Sequence, residues 1–177
     1  MSPPDINSLK LFNEIEEGQT YPHNDKWYSH LLEQYKIYVE MADRISNRRA
    51  TANSYFLSIN SAILAFIGYI TSKGDDTYLW LLALAGITLS FFWHALINSY
   101  KNLNTAKWLV VHEIEKRLPI SPYAAEWDAM GRGNNPNLYK PITHIELGVP
   151  KIFMGLHALV LIGSLPLQKI ILCLGGA

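Results

Sequence analysis

Formal charge is missing from three stretches of this chain, residues 54–71, 78–97 and 152–167, and is concentrated in the segments between them. About 30 Å of hydrocarbon asks for roughly eighteen or more apolar residues in a helix rising 1.5 Å per residue, so the first two stretches predict membrane spans. The third is shorter and reaches that length if Leu147 and Val149 join it. A polar turn, Ser72-Lys73-Gly74-Asp75-Asp76-Thr77, parts the first two spans and makes them an antiparallel hairpin, with Tyr78 and Trp80 as interface anchors. The alternative is a soluble bundle with three buried helices. It is disfavoured because a core helix seldom lacks a polar face for about five turns.

Outside these stretches the pattern changes to an amphipathic one. From Trp27 to about Arg49, the residues Leu31, Tyr35, Tyr38, Ala42 and Ile45 recur at alternating steps of four and three, which is one stripe of a helix. On the opposite face Glu33 precedes Lys36 and Glu40 precedes Arg44, spacings at which opposite charges support helix formation. No glycine or proline separates this helix from the first span, so one continuous helix is expected through Arg48, Arg49, Ala50, Thr51, Ala52 and Asn53. After Asn98 the second helix is expected to continue as far as Leu118, with Leu103, Val110 and Ile114 as its apolar stripe, because nothing breaks it before Pro119. Ser121-Pro122 then predicts the cap and first position of a short helix through Trp127, and residues 131–136 predict a loop. Thr143 and Glu146 have capping-box spacing and predict the start of the last helix.

The chain therefore divides into a polar leader (1–26), an amphipathic helix (27–53), a transmembrane hairpin (54–97), a helix and loop region (98–150) and a third transmembrane helix with its tail (151–177). The expected fold is all-α: an integral membrane protein with a helical hairpin, a third hydrophobic helix and long helical extensions that associate into a homo-oligomer. Lys and Arg set the orientation. The turn holds Lys73 alone, whereas Arg44, Arg48, Arg49, Lys101, Lys107 and Lys151 flank the other side, so the N-terminus and the extensions are expected in the cytoplasm. The leader lacks the basic end and apolar run of a secretory signal.

Charge and composition narrow the function mainly by exclusion. Fifteen basic residues balance fifteen acidic ones, so no net field favours nucleic acid, which is not expected as a partner. The single cysteine, Cys173, rules out an intramolecular disulfide and a cysteine-based zinc site. His112-Glu113 and His144-Ile145-Glu146 lack the two-histidine, one-turn spacing of a helical metal site, and Gly131-Arg132-Gly133 lacks the lysine and preceding strand of a phosphate loop. No nucleophile motif occurs, so neither a cofactor nor a metal nor an enzymatic activity is expected. A lipid-acting enzyme would need His112, His144 and Glu146 gathered in one cleft. The remaining candidate is an intramembrane polar network of Asn60, Ser90 and His94. Counting back from the turn puts Ser90 level with Asn60 and His94 about one turn further in, where these groups hydrogen-bond between helices. A proton path is the less favoured reading, because the spans contain no carboxylate.

Three segments, YKIYVEMADRISNRRATANSYFLSIN (35–60), LINSYKNLNTAKWLVVHEIEKRLPISPYAAEW (96–127) and YKPITHIELGVPKIF (139–153), resemble the RipA-family octameric membrane proteins. The resemblance implies a small protein of the bacterial inner membrane that assembles as a homo-octamer, with itself and membrane lipids as partners and no catalytic residues to carry over. The first helix and hairpin are also similar, more loosely, to the two-span modules of pore-forming defence effectors. The expected function is thus a non-enzymatic scaffold or channel-like ring with a cytoplasmic assembly region. The alternative is a pore-forming effector triggered by a cytoplasmic signal.

Overall fold

The computed structural model describes residues 11–12, 26–75, 77–139 and 142–165, and for residues 142–144 it describes the backbone alone. All secondary structure among these residues is helical: α1 (Trp27–Ser72), α2 (Leu79–Glu115), α3 (Pro122–Ala129), one 3-10 turn (Gly131–Gly133) and α4 (Ile142–Ser164). Helix α1 runs for 46 residues because it contains no proline and only one glycine, and it passes Arg48 to Asn53 without a break, as expected. It stops at Gly74, whose φ of +76° is a conformation that costs glycine nothing and other residues a great deal. The Asp75 side chain then accepts the Thr77 N–H at 3.1 Å. That bond holds the Asp75 carboxyl below the usual carboxylate range.

Among the described residues, three helices are long and apolar enough to cross a membrane: α1, α2 and residues 145–164 of α4. Leu147 and Val149 do join the third, giving it 20 residues up to Ser164. Helix α4 begins at Ile142, ahead of Thr143, and the Thr143 side chain of the expected capping box lies outside the described residues. So do most of the leader, the end of the third hydrophobic segment beyond Leu165, and Cys173.

The chain forms two compact units. The first comprises residues 1–48 and 100–141 and is called here the charged unit; the second, comprising 49–99 and 142–177, is the apolar unit. In the charged unit the predicted α1 stripe is the seated one: Leu31, Ala42 and Ile45 are buried, with Tyr35 and Tyr38 half-buried beside them. The pairs Lys36–Glu33 (2.8 Å) and Arg44–Glu40 (2.7 Å) form on its opposite face.

On α2 the expected stripe holds at Ile114, which is buried, and at Val110, which is half-buried, but not at Leu103, which is exposed; Lys107, Val111 and Glu115 are buried as well. Lys107 lies on the stripe between Leu103 and Val110, and its ammonium sits 4.5 Å from the centroid of the Tyr38 ring. Its aliphatic stem covers apolar surface while its charge finds an aromatic face, so a lysine occupies a position that hydrophobic periodicity assigns to leucine.

In the apolar unit, α2 buries Leu79, Ala83, Gly86, Ser90, Trp93 and Ile97, again at alternating steps of four and three. Trp93 is its centre. The indole stacks on Phe56 of α1 at 6.0 Å, meets Phe153 of α4 at 5.9 Å, and donates Nε1–H to Asn53 Oδ1 at 2.8 Å. One side chain thus touches both other helices of its unit.

Candidate functional site

One polar side chain from α2 and one from α4 converge on Asn60, which is fully buried in α1. Its Nδ2–H donates to the Phe56 carbonyl of its own helix at 2.9 Å, which aims Oδ1 away from α1. Ser90 of α2 donates its hydroxyl to that Oδ1 at 2.9 Å, and His157 Nε2 of α4 lies 3.2 Å from the same oxygen. An amide oxygen only accepts, so the proton of the neutral His157 ring is on Nε2. Its Nδ1 is then a bare lone pair, and this buried atom has no hydrogen-bond partner among the described residues. The imidazole lies so close over Gly86 that a Cβ built there would overlap the ring.

Two of the three residues expected in this network are therefore brought together, and the third is replaced. Asn60 and Ser90 bond directly. His94 does not join them: it follows Trp93 by one position, about 100° round the helix, and is off the buried α2 stripe. Its Nδ1 finds no hydrogen-bond partner among the described residues. The sequence reading missed His157, although a lone imidazole inside an otherwise uncharged segment was the available signal. A second link ties α1 to α4 at the start of the span, where Arg49 Nε meets Glu146 Oε2 at 3.3 Å with both side chains more than four-fifths buried.

The charged unit holds a different constellation around Glu115, which is fully buried at the end of α2. Its Oε1 accepts the Tyr35 hydroxyl at 2.9 Å and the Tyr123 N–H at 3.1 Å, and its Oε2 accepts the Ala124 N–H at 3.0 Å. The His112 Nδ1 stands 3.6 Å from Oε2. These two N–H groups belong to the first turn of α3, where a helix leaves its donors unpaired and favours negative charge. Ser121 was expected to cap α3, but its side chain makes no cap bond and turns back to the Glu115 carbonyl at 3.2 Å. Glu115 supplies the cap from another helix.

Burial, then the hydrogen bond to Glu115 and its charge, push the Tyr35 phenol well above its ordinary value. Tyr123 is raised in the same direction, by burial first and then by Asp43, Glu115 and Glu126. The native state therefore keeps these protons after the unfolded chain has released its own. The associated stability is fully present below the ordinary phenol pKa of about 10 and falls as pH rises above it. Alkaline unfolding followed by circular dichroism alongside phenolate absorbance should show this loss, with a shallower pH dependence for Tyr35→Phe. An unchanged slope in that variant would contradict the assignment.

Of the groups a lipid-acting enzyme would need, His112 faces Glu115, Glu146 faces Arg49, and the His144 side chain is outside the described residues. Among the described residues, no group of three His, Cys, Asp or Glu side chains is placed to hold a metal ion.

In comparison with known proteins, the sequence model of the octameric membrane protein family (8xMP) matches residues 32–166. No curated protein and no solved structure matches the chain.

Proposed function

The chain belongs to the octameric membrane protein family, and from that premise we propose that it is a non-enzymatic scaffold of the bacterial inner membrane, a homo-oligomeric ring whose charged unit lies in the cytoplasm. The orientation is supported by basic residues. Lys73 stands alone in the hairpin turn, whereas Arg44, Arg48, Arg49, Lys101, Lys107 and Lys151 gather at the other ends of the spans.

The observation that carries the scaffold reading is the way polar groups are spent. An ion pathway presents carbonyls, amides or charged side chains to water along its length. Here Asn60, Ser90 and His157 are turned onto one another within one chain. The hydroxyls of Ser58 and Thr88 return to carbonyls of their own helices, Ser54 and Leu84, at 2.8 Å each. The bulky groups the spans leave exposed include Phe66, Phe91, Phe92, Leu156, Leu159 and Ile162, which suit lipid or a neighbouring span.

Planar-bilayer recording on the purified, reconstituted assembly tests the reading. Persistent electrical silence is the expected result. Robust, regulated currents would overturn it in favour of the pore-forming effector. The native mass of the detergent-extracted protein tests the ring separately: eight chains are expected, and a single chain refutes it.

A further inference from the structure

Within the charged unit, α1 carries a second stripe beside the buried one. Ile37, Met41, Arg44 and Arg48 recur at steps of four, three and four, so they share one line along the helix. Ile37 is 56 % and Met41 43 % exposed, two large apolar side chains next to each other on this line. Arg44 is paired with Glu40, but the exposed Arg48 has no partner among the described residues.

A second uncovered apolar surface of the same unit, among several exposed apolar groups there, is on and after α3, a helix with no buried residue. Trp127 and Met130 are exposed there. Two carboxylates flank the tryptophan: Asp128 is paired with Arg132 at 2.6 Å, and the Glu126 side chain has no partner among the described residues. One surface is therefore apolar with an uncommitted cation and the other apolar with an uncommitted anion.

A closed ring of identical chains needs two different, complementary patches on each copy, because every contact is head-to-tail. Both surfaces belong to the charged unit, and the Asp43 carboxylate, next to Arg44 in α1, lies near enough to Tyr123 of α3 to help raise its phenol.

We propose that adjacent copies meet in the charged unit, with Ile37, Met41 and Arg48 of one chain packing against Glu126, Trp127 and Met130 of the next. The proposal rests on the homo-oligomeric reading above and adds which surfaces close the ring. It gives the exposed apolar groups a cover and pairs the two uncommitted charges.

Charge reversal in the full-length protein tests it. Arg48→Glu and Glu126→Arg should each raise the subunit concentration needed for half-assembly in detergent at least tenfold, and the double reversal should restore it. A Cys173→Ser background allows a second test by oxidation. Ile37→Cys with Met130→Cys should give a ladder of cross-linked multimers, and neither single cysteine should cross-link alone. Assembly that survives both single reversals, or a double reversal that fails to recover, overturns the proposal. An effect of Arg48→Glu without one of Glu126→Arg also overturns it, since Arg48 then serves lipid headgroups. If the unmodified protein has the mass of one chain, the homo-oligomeric reading is what fails.

Discussion

Glu115→Ala is expected to release α3 from the end of α2, a local loss of about 3 kcal/mol, because it leaves the Tyr35 hydroxyl and the Tyr123 and Ala124 N–H groups without their acceptor. Hydrogen bonds to an ionised group are the stronger kind, and two of these three also neutralise the positive end of a helix. The total is kept near 3 kcal/mol, and not the sum of three full bonds, since Tyr35 and Tyr123 are only half-buried and water partly replaces the carboxylate. Amide exchange reads the effect where it occurs: the Ala124 N–H should exchange on the order of a hundredfold faster, at about tenfold per 1.4 kcal/mol. Glu115→Gln should fall between the two proteins. Its oxygen can still take the Tyr35 and Tyr123 donors, but its NH₂ would face the Ala124 N–H, donor against donor. If the Ala variant exchanges like the unmodified protein, α3 is held by something other than Glu115.

This contrast bears on what the sequence could reveal. The hairpin was legible because charge exclusion and a six-residue turn are local signals, and the turn fixes register: counting away from it placed Ser90 opposite Asn60, and the two side chains bond. The α1 stripe from Leu31 to Ile45 was legible for the same reason, since period 3.6 is written in consecutive residues. Glu115 was not legible. Near the end of a helix it reads as solvated surface, and it is buried only because the chain turns at Pro119 and brings the first turn of α3 back onto it. His157 was missed because no short loop fixes the register of α4 against α1 and α2; twenty-six residues separate Glu115 from Ile142, so their pairing is decided by packing. Lys107 was left out of the α2 stripe because hydrophobic counting scores a lysine by its charge and not by its four-carbon stem.

Packing of that kind makes the second large effect come from adding a single carbon. In Gly86→Ala the new Cβ would occupy the space of the His157 imidazole, and neither partner yields easily. The α2 backbone is held by its own helix, and the His157 ring is fully buried with Nε2 committed to Asn60. The ring must leave, which combines an overpacking cost of about 1–3 kcal/mol with the loss of a buried hydrogen bond of about 1 kcal/mol. Asn60 keeps its bond to Ser90, so α1 and α2 should stay paired while α4 loosens. The expected signature is a drop of about 2–4 kcal/mol in resistance to denaturing detergent, with enhanced cysteine accessibility along α4 and little change along α1. A second substitution separates this cause from a general intolerance of alanine in α2. His157→Ala empties the space that the Gly86 methyl would enter, so adding Gly86→Ala in that background should cost well under 1 kcal/mol, a coupling found only between groups in contact. Additive losses in the double variant would mean that His157 does not rest on Gly86, and the seat assigned to α4 would be wrong.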